Sequence, residues 1–282
     1  MPKNLQCGQY SFALEGPGAA EPIVMGILNV TPDSFSDGGR YQGLEFALSH
    51  AEEMIRDGAT MIDIGGESTR PGSPSVPVGE ELARVMPALY ALRTLDCALS
   101  VDTCKPEVMR EAIIAGADMI NDINAFRAPG AIEAVRDSDC GLCVMHMQAT
   151  PQTMQQAPAY VDVVREVIDF LRERVDTLER AGIARERICL DPGFGFGKTV
   201  EHNYALLREL GRIRDELGLP VLAGLSRKSM VGAVTGRPVE GRVAGSIGGA
   251  LAAVAHGARI VRVHDVAETV DALKVWLAGT QD

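Results

Sequence analysis

Residues of three kinds recur where short apolar runs of this chain end. The first kind is acceptor-rich: Asp102, Asn121 and Asp191. Two carboxylates and an amide can pair with a planar heterocycle that carries N–H donors and ring acceptors. A buried carboxylate is costly unless it is matched, so such a set favours one specific polar ligand. The second kind is basic: Arg70, Arg227, Lys228, Arg262 and His264. The chain holds 27 Lys and Arg against 38 Asp and Glu, a net charge of −11. Basic groups gathered at run ends in so acidic a chain point to an anionic substrate, and arginine can grip phosphate with two parallel hydrogen bonds. Ser229 is expected at a helix N-terminus, where backbone N–H groups also favour anions. The third kind is flat or flexible. Phe35 and Phe196 offer walls for an aromatic ligand, and Gly65-Gly66 and the Gly193-Phe194-Gly195-Phe196-Gly197 stretch let backbone come close to it.

These residues need a scaffold that brings distant run ends together. The runs are Ile23–Leu28, Met61–Ile64, Ala98–Val101, Met119–Ile120, Gly141–Met145, Ile188–Leu190, Val221–Ala223 and Ile260–Val263. Short, continuous apolar runs suit parallel strands buried on both faces. Stretches with helical spacing alternate with them: Leu44–Asp57, Glu80–Leu95, Pro106–Ala115, Pro129–Ser138, Tyr160–Ala181, His202–Leu217, Arg242–His256 and Ala267–Leu277. Gly116, Gly182, Gly218 and Gly257 mark helix ends, and Pro106 and Pro129 mark starts. The pattern predicts an α/β fold, a single-domain (β/α)8 TIM barrel, whose strand ends converge on one face as active sites of such barrels do. An open doubly wound sheet is the alternative, weakened by the lack of a GxGxxG after the first run. Residues 1–20 form a short N-terminal segment, in which Tyr10–Leu14 is expected to be one strand of a hairpin closing the barrel bottom. Residues 21–282 form the barrel. The stretches Val30–Gln42 and Gly66–Val78 exceed the usual βα loop and read as lids.

The acidic balance argues against a nucleic-acid surface. No apolar run reaches the roughly 18 residues of a membrane span, and Met1-Pro2-Lys3-Asn4 does not open a signal peptide. The expectation is a cytoplasmic protein with no nucleic-acid or membrane partner. Of six cysteines, Cys140 and Cys143 form a lone CxxC without a second pair or nearby histidines, which reads as buried apolar packing.

Assembled, these residues resemble the dihydropteroate synthases of the pterin-binding barrel family. The resemblance runs from about Ile23 to Trp276, through MGILNVTPDSFSDGG at 25–39, DIGGESTRPG at 63–72, VDTCKPEV at 101–108, NDI at 121–123, MHMQ at 145–148, DPGFGFGK at 191–198, GLSRKSM at 224–230 and RVHDV at 262–266. It implies the joining of p-aminobenzoate to 6-hydroxymethyl-7,8-dihydropterin diphosphate, giving 7,8-dihydropteroate and diphosphate. It also implies roles. Asp102, Asn121, Asp191 and Lys228 would hold the pterin, with Met145 packed on it. Asp102, Asp191 and Lys228 would carry the catalysis. Asn29 would bind Mg2+, and Asn29, Arg70, Arg262 and His264 would hold the diphosphate. Phe35, Thr69, Pro71, Phe196, Lys228 and Ser229 would form the p-aminobenzoate pocket, where sulfonamides compete. A homodimer is implied, with the helical stretches from Arg242 and Ala267 as contact surfaces.

The chain departs from the commonest family pattern at Cys104, at Asn124-Ala125-Phe126 and at Ala149. Other readings are a methyltetrahydrofolate-type methyltransferase, which should lack the paired STRPG and SRKS segments, a Schiff-base aldolase using Lys228, and a non-catalytic pterin-binding relative, which should have lost Asn29 or the basic residues. All of those segments and residues are present.

Overall fold

The computed structural model describes residues 1–16, 19, 21–31, 39–70 and 72–280, with backbone alone for 39–42. Two short strands come first, β1 (Asn4–Cys7) and β2 (Tyr10–Ala13), paired antiparallel with Cys7 opposite Tyr10. Eight parallel strands follow: β3 (Ile23–Asn29), β4 (Met61–Gly65), β5 (Ala98–Asp102), β6 (Met119–Asp122), β7 (Gly141–Met145), β8 (Ile188–Asp191), β9 (Leu222–Ala223) and β10 (Ile260–Val263). Each pairs with the next in sequence from β3 to β8, and β10 lies between β9 and β3. A bridge from Leu190 to Val221 joins the two ends and closes the barrel.

The helices are α1 (Gly39–Arg56), α2 (Val78–Leu92), α3 (Pro106–Ile114), α4 (Ala131–Val135), α5 (Val163–Arg180), α6 (Val200–Arg208), α7 (Leu210–Leu217), α8 (Ser229–Thr235), α9 (Val243–Ala255) and α10 (Val266–Thr280). Four differ most from the sequence reading. The first helix begins at Gly39, inside the stretch Val30–Gln42 read as a lid, rather than at Leu44. The stretch from Pro129 holds only the five residues of α4, because Gly130 enters it at φ 86. The stretch from His202 is two helices, α6 and α7, broken where Glu209 turns to φ −104, ψ 15. The short helix α8 was expected only as a helix start at Ser229, which is its first residue. The four glycines read as stops all have positive φ, the C-terminal conformation that glycine adopts without a Cβ penalty.

Strand alternation sorts the interior into two cores. Outward residues such as Ile62, Ile64, Leu99, Val101, Ile120, Leu142 and Val144 pack under the helices. Inward residues near the strand starts (Met25, Met61, Ala98, Met119, Cys143, Cys189, Leu222 and Ile260) form an apolar floor. The β1–β2 hairpin seals that floor from below with Leu5, Cys7 and Leu14. Two residues further along the same strands, the inward positions turn polar: Asp63 after Met61, Asn121 after Met119, Asp191 after Cys189 and Arg262 after Ile260. The period of two along a strand thus stacks a charged layer on an insulating one. None of the described helices is long and apolar enough to cross a membrane, and all six cysteines are unpaired, five of them buried.

Leu5 is fully buried in this seal. Leu5→Ala should therefore lower unfolding stability by about 2–5 kcal/mol, the usual cost of a large-to-small change in a core. Urea denaturation measures it, and a loss under about 1 kcal/mol would mean that the hairpin is not a working part of the barrel floor.

Candidate active site

The polar layer centres on one guanidinium. Arg262, from β10, reaches across the barrel and donates from Nε to Oδ2 of Asp63 at 2.6 Å and from Nη2 to Oδ2 of Asp102 at 3.2 Å. Asn121 on β6 donates from Nδ2 to the same Asp63 oxygen at 3.1 Å. Four strands are thereby tied through their side chains. Burial and the neighbouring Asp63 carboxylate push Asp102 up to about 7, against the pull of Arg262. Burial also tends to lower Arg262, yet Asp63 and Asp102 hold it above the ordinary arginine value.

On the opposite wall, Asp191 at the end of β8 accepts the Gly193 N–H at 2.7 Å. Burial raises its pKa, and Lys228 and that N–H work against the rise. Lys228 immediately precedes α8 and donates to the Phe194 carbonyl at 2.5 Å, with its ammonium 4.8 Å from the centre of the Phe196 ring. Burial brings Lys228 down to about 8, with Asp191 opposing. Met145 and Phe196 share a small apolar cluster with Ile123, Met147 and Met154, against which Cys104 packs. That cluster gives the polar layer a flat, greasy neighbour. Beside it opens a cavity of about 580 Å³ that includes Thr69, Asp102, Cys104, Asn124, Arg127 and Met147 in its lining.

The glycine-rich loop after β8 is clamped by a residue that sequence reasoning missed as structural. Lys198 is buried, and donates to the carbonyls of Gly193 at 3.0 Å and Phe196 at 2.9 Å, with its Nζ also 2.9 Å from Nδ1 of His146. Asn203, on α6, accepts the Gly195 N–H at 2.7 Å. Lys198 is therefore not a cation facing the mouth. His146 packs edge-on against Phe170 of α5 and is held neutral, down to about 2, by burial and Lys198. Gly193 sits at φ 72, where an added Cβ would lie 1.9 Å from the His146 carbonyl oxygen.

The structure gathers Asp102, Asn121, Asp191, Arg262, Lys228, Met145 and Phe196 into one region and leaves others at its rim. Asn29 is exposed at the end of β3, beside Gly65. Thr69 is half-buried, while Arg70 and Ser229 are exposed. Phe35 and Pro71 lie outside the described residues. Two expectations need correction. His264 is not a standing positive charge: burial and then the nearby Arg262 bring it down to about 4, and its Nδ1 lies 3.0 Å from the Ser226 hydroxyl. Arg227 is already engaged by Asp265 through two hydrogen bonds, one of 3.1 Å, so it is not a free anion grip.

Asp63 was missed as a site residue. Its signal was present, because its spacing from Met61 matches that of Asn121 from Met119. Three buried polar atoms of this layer have no partner among the described residues: Asp63 Oδ1, Ser100 Oγ and Asn121 Oδ1. Buried polar groups are normally satisfied, so these atoms are open to a ligand group or a bound water. The departures from the family pattern also find physical places. Ala125 and Phe126 both adopt φ 55, held by N–H bonds from Asn124 and Phe126 to the Asp122 carboxylate at 2.7 and 2.6 Å. Ala149 stands at φ 64, where glycine would be free of strain and alanine costs about 1 kcal/mol.

Comparison with known proteins bears on this geometry. The model of the pterin binding enzyme family matches residues 25–264. The chain is 54% identical over 258 residues to the dihydropteroate synthase of Haemophilus influenzae, covering 91% of this chain and 94% of that one. It is 51% identical over 257 residues to that of Escherichia coli, 91% of each. Among solved structures it resembles Burkholderia cenocepacia dihydropteroate synthase complexed with 7,8-dihydropteroate, with TM-score 0.88, 56% identity and coverage of 99% of this chain and 96% of that one. It also resembles the Xanthomonas albilineans dihydropteroate synthase with 4-aminobenzoic acid, with TM-score 0.91, 50% identity and full coverage of both. A third is the Yersinia pestis enzyme in a sulfonamide drug complex, with TM-score 0.91, 46% identity and 99% of each chain covered.

Gly193→Ala must displace either its own loop or the His146 backbone. It should cost about 2–4 kcal/mol of stability, from left-handed strain and overpacking together. Thermal and urea unfolding measure this, and an unchanged midpoint would show that the clamp around Lys198 is loose.

Proposed function

This chain belongs to the pterin-binding enzyme family, and we propose that it carries out the reaction of its dihydropteroate synthase relatives. It condenses p-aminobenzoate with 6-hydroxymethyl-7,8-dihydropterin diphosphate, giving 7,8-dihydropteroate and diphosphate in folate biosynthesis. It is a transferase of a pterinylmethyl group. The observation that carries this reading is the buried, partly unsatisfied polar layer of Asp102, Asn121 and Asp191, with Lys228 beside it, in a chain about half identical to those enzymes along nearly its whole length.

In this reading the pterin lies in the polar layer. Asp102, Asp191 and the Asn121 carbonyl accept its N–H groups, Lys228 donates to a ring acceptor, and Met145 packs on its face. The bond between the methylene carbon and the diphosphate oxygen breaks, and its electron pair leaves with the diphosphate. The carbon then carries positive charge that spreads into the electron-rich pterin. Asp102 and Asp191, fixed before the reaction begins, stabilise that charge in a site of low polarity. The amine of p-aminobenzoate attacks the carbon and afterwards loses a proton, which an anilinium gives up to water without a dedicated base. Thr69, Phe196, Ser229 and Lys228, with Phe35 and Pro71, form the p-aminobenzoate pocket, where sulfonamides compete.

Arg70, His264 as a neutral donor, and the guanidinium N–H groups of Arg262 not given to Asp63 and Asp102 hold the diphosphate. Asn29 offers one hard oxygen ligand, and no group of three or more His, Cys, Asp or Glu residues fit for a metal occurs among the described residues. A single protein oxygen fits Mg2+, which usually keeps its waters and binds mainly through substrate phosphates. Asn29 would hold such an ion, which would supply charge stabilisation at the leaving oxygens. Substrates of this charge are water-borne, and the reading places the enzyme in the cytoplasm. A second copy of the chain fits α9 and α10. The thirteen residues of α9 carry no charge and leave Ile247, Leu251 and Val254 only half-buried, while Val275 on α10 is 74% exposed.

Incubation with both substrates and Mg2+ should yield dihydropteroate, with Asp102→Asn and Lys228→Ala each losing most of the pterin affinity and turnover. The kcat/KM for the pterin diphosphate should be bell-shaped. It rises as Asp102 ionises near pH 7 and falls as Lys228 loses its proton near pH 8. Folded protein that forms no product would end the reading, and a profile flat from pH 6 to 9 would remove these two groups from it. The Ile247→Glu, Val275→Glu double variant should sediment as a monomer where the parent is a dimer; an unchanged dimer would place the contact elsewhere.

A further inference from the structure

Asp63 touches no expected substrate group, yet it is fully buried in the middle of the polar layer. One of its oxygens, Oδ2, takes both the Arg262 Nε–H at 2.6 Å and the Asn121 Nδ2–H at 3.1 Å. The other, Oδ1, is buried without a partner among the described residues. A carboxylate paired with a guanidinium can only accept hydrogen bonds. The amide of Asn121 therefore has one permitted orientation, with nitrogen toward Asp63. Its carbonyl oxygen must face the other way, and that atom is also buried and unpartnered.

From this geometry we infer that Asp63 is a positioning residue, which fixes the Asn121 amide so that the site presents an acceptor to the pterin and never a donor. The inference rests on the pterin-binding reading given above and deepens it. A free asparagine offers oxygen and nitrogen on either side, at almost no cost in shape. Without a neighbour that settles the matter, half of its orientations would set an N–H against a ligand N–H. Asp63 removes that ambiguity by taking the Nδ2 side of the amide, which leaves the Oδ1 side open. The same carboxylate holds the Nε side of Arg262, so the guanidinium stays stretched between β4 and β5 and keeps its Nη2 on Asp102.

Asp63→Asn keeps the shape and removes the dictate, because a carboxamide can accept from or donate to Asn121. The test is a double-mutant cycle of Asp63→Asn, Asn121→Ala and the two combined, read by calorimetry with the pterin diphosphate and Mg2+, and by KM for p-aminobenzoate. Each single change should weaken pterin diphosphate binding roughly tenfold to a hundredfold, the scale of one misdirected buried hydrogen bond. The combined variant should bind within about threefold of the weaker single one, because both act through the same amide. The KM for p-aminobenzoate should stay within about twofold of the parent, as positioning at the pterin predicts. Effects that multiply in the combined variant, or near-parent affinity in Asp63→Asn, would overturn the inference.

If Asp63→Asn does not fold, the parent protein still decides. The side-chain N–H2 resonance of Asn121, assigned by its loss in Asn121→Ala, should keep its hydrogen-bonded position when the pterin diphosphate binds. A donor that moves to the ligand would refute the fixed orientation. Parent protein that binds the pterin diphosphate but forms no dihydropteroate would sink the proposed reaction while leaving the cycle readable. Parent protein that binds no pterin sinks both.

Discussion

The guanidinium of Arg262, held between Asp63 and Asp102, is the contact on which the site's order depends. Three aspartates, an asparagine and a serine sit inside a barrel whose floor is methionine, cysteine and leucine. Without a cation among them, burial would force protons onto the carboxylates and the layer would lose its acceptors. With it, Asp102 is poised near neutrality and Asp63 stays bound to two donors. A buried pair of this kind is weak evidence for stability, since desolvation consumes much of what attraction gives. Its benefit is fixed geometry, which is what a site needs when it stabilises charge that exists only briefly.

The second wall is ordered by backbone rather than by charge pairing. The loop after β8 turns through Gly193, Gly195 and Gly197, all at positive φ. Lys198 gathers its carbonyls and Asn203 takes one of its N–H groups. The Phe194 carbonyl is thereby presented to Lys228, and the Phe196 ring comes near its ammonium. Lys198, which closes the glycine-rich segment in sequence, thus serves as an internal clamp. Its burial brings it down to about 7, with the Asp191 carboxylate opposing.

Much of this was legible in the sequence for a simple reason. Strand period and apolar runs dictate which residues face the barrel interior, and the eight runs correspond to the eight strands. Asp102, Asn121, Asp191 and Arg262 end up together because each stands at or next to the end of a run. What could not be read were choices made by tertiary contacts. The sequence does not say whether Arg227 meets a ligand or Asp265, whether His264 is charged, or whether Lys198 points outward or back. Those depend on distances between segments far apart in the chain. Asp63 holds the same place in its run as Arg262 does in its own, yet it received no role, because its partners Arg262 and Asn121 lie on distant strands. The helix boundaries that failed did so at Gly130 and Glu209, where one residue's backbone angles override a periodic pattern.

The hairpin seal under the barrel has a consequence for traffic. With Leu5, Cys7 and Leu14 packed against the floor, the hairpin covers the strand-start end of the barrel. Whatever occupies the deepest level must arrive before anything above it, and must wait for the upper occupant to clear before it can leave. In the proposed reading, a bottom covered in this way makes two reactants that enter from the strand-end side queue, the deeper one first in and last out.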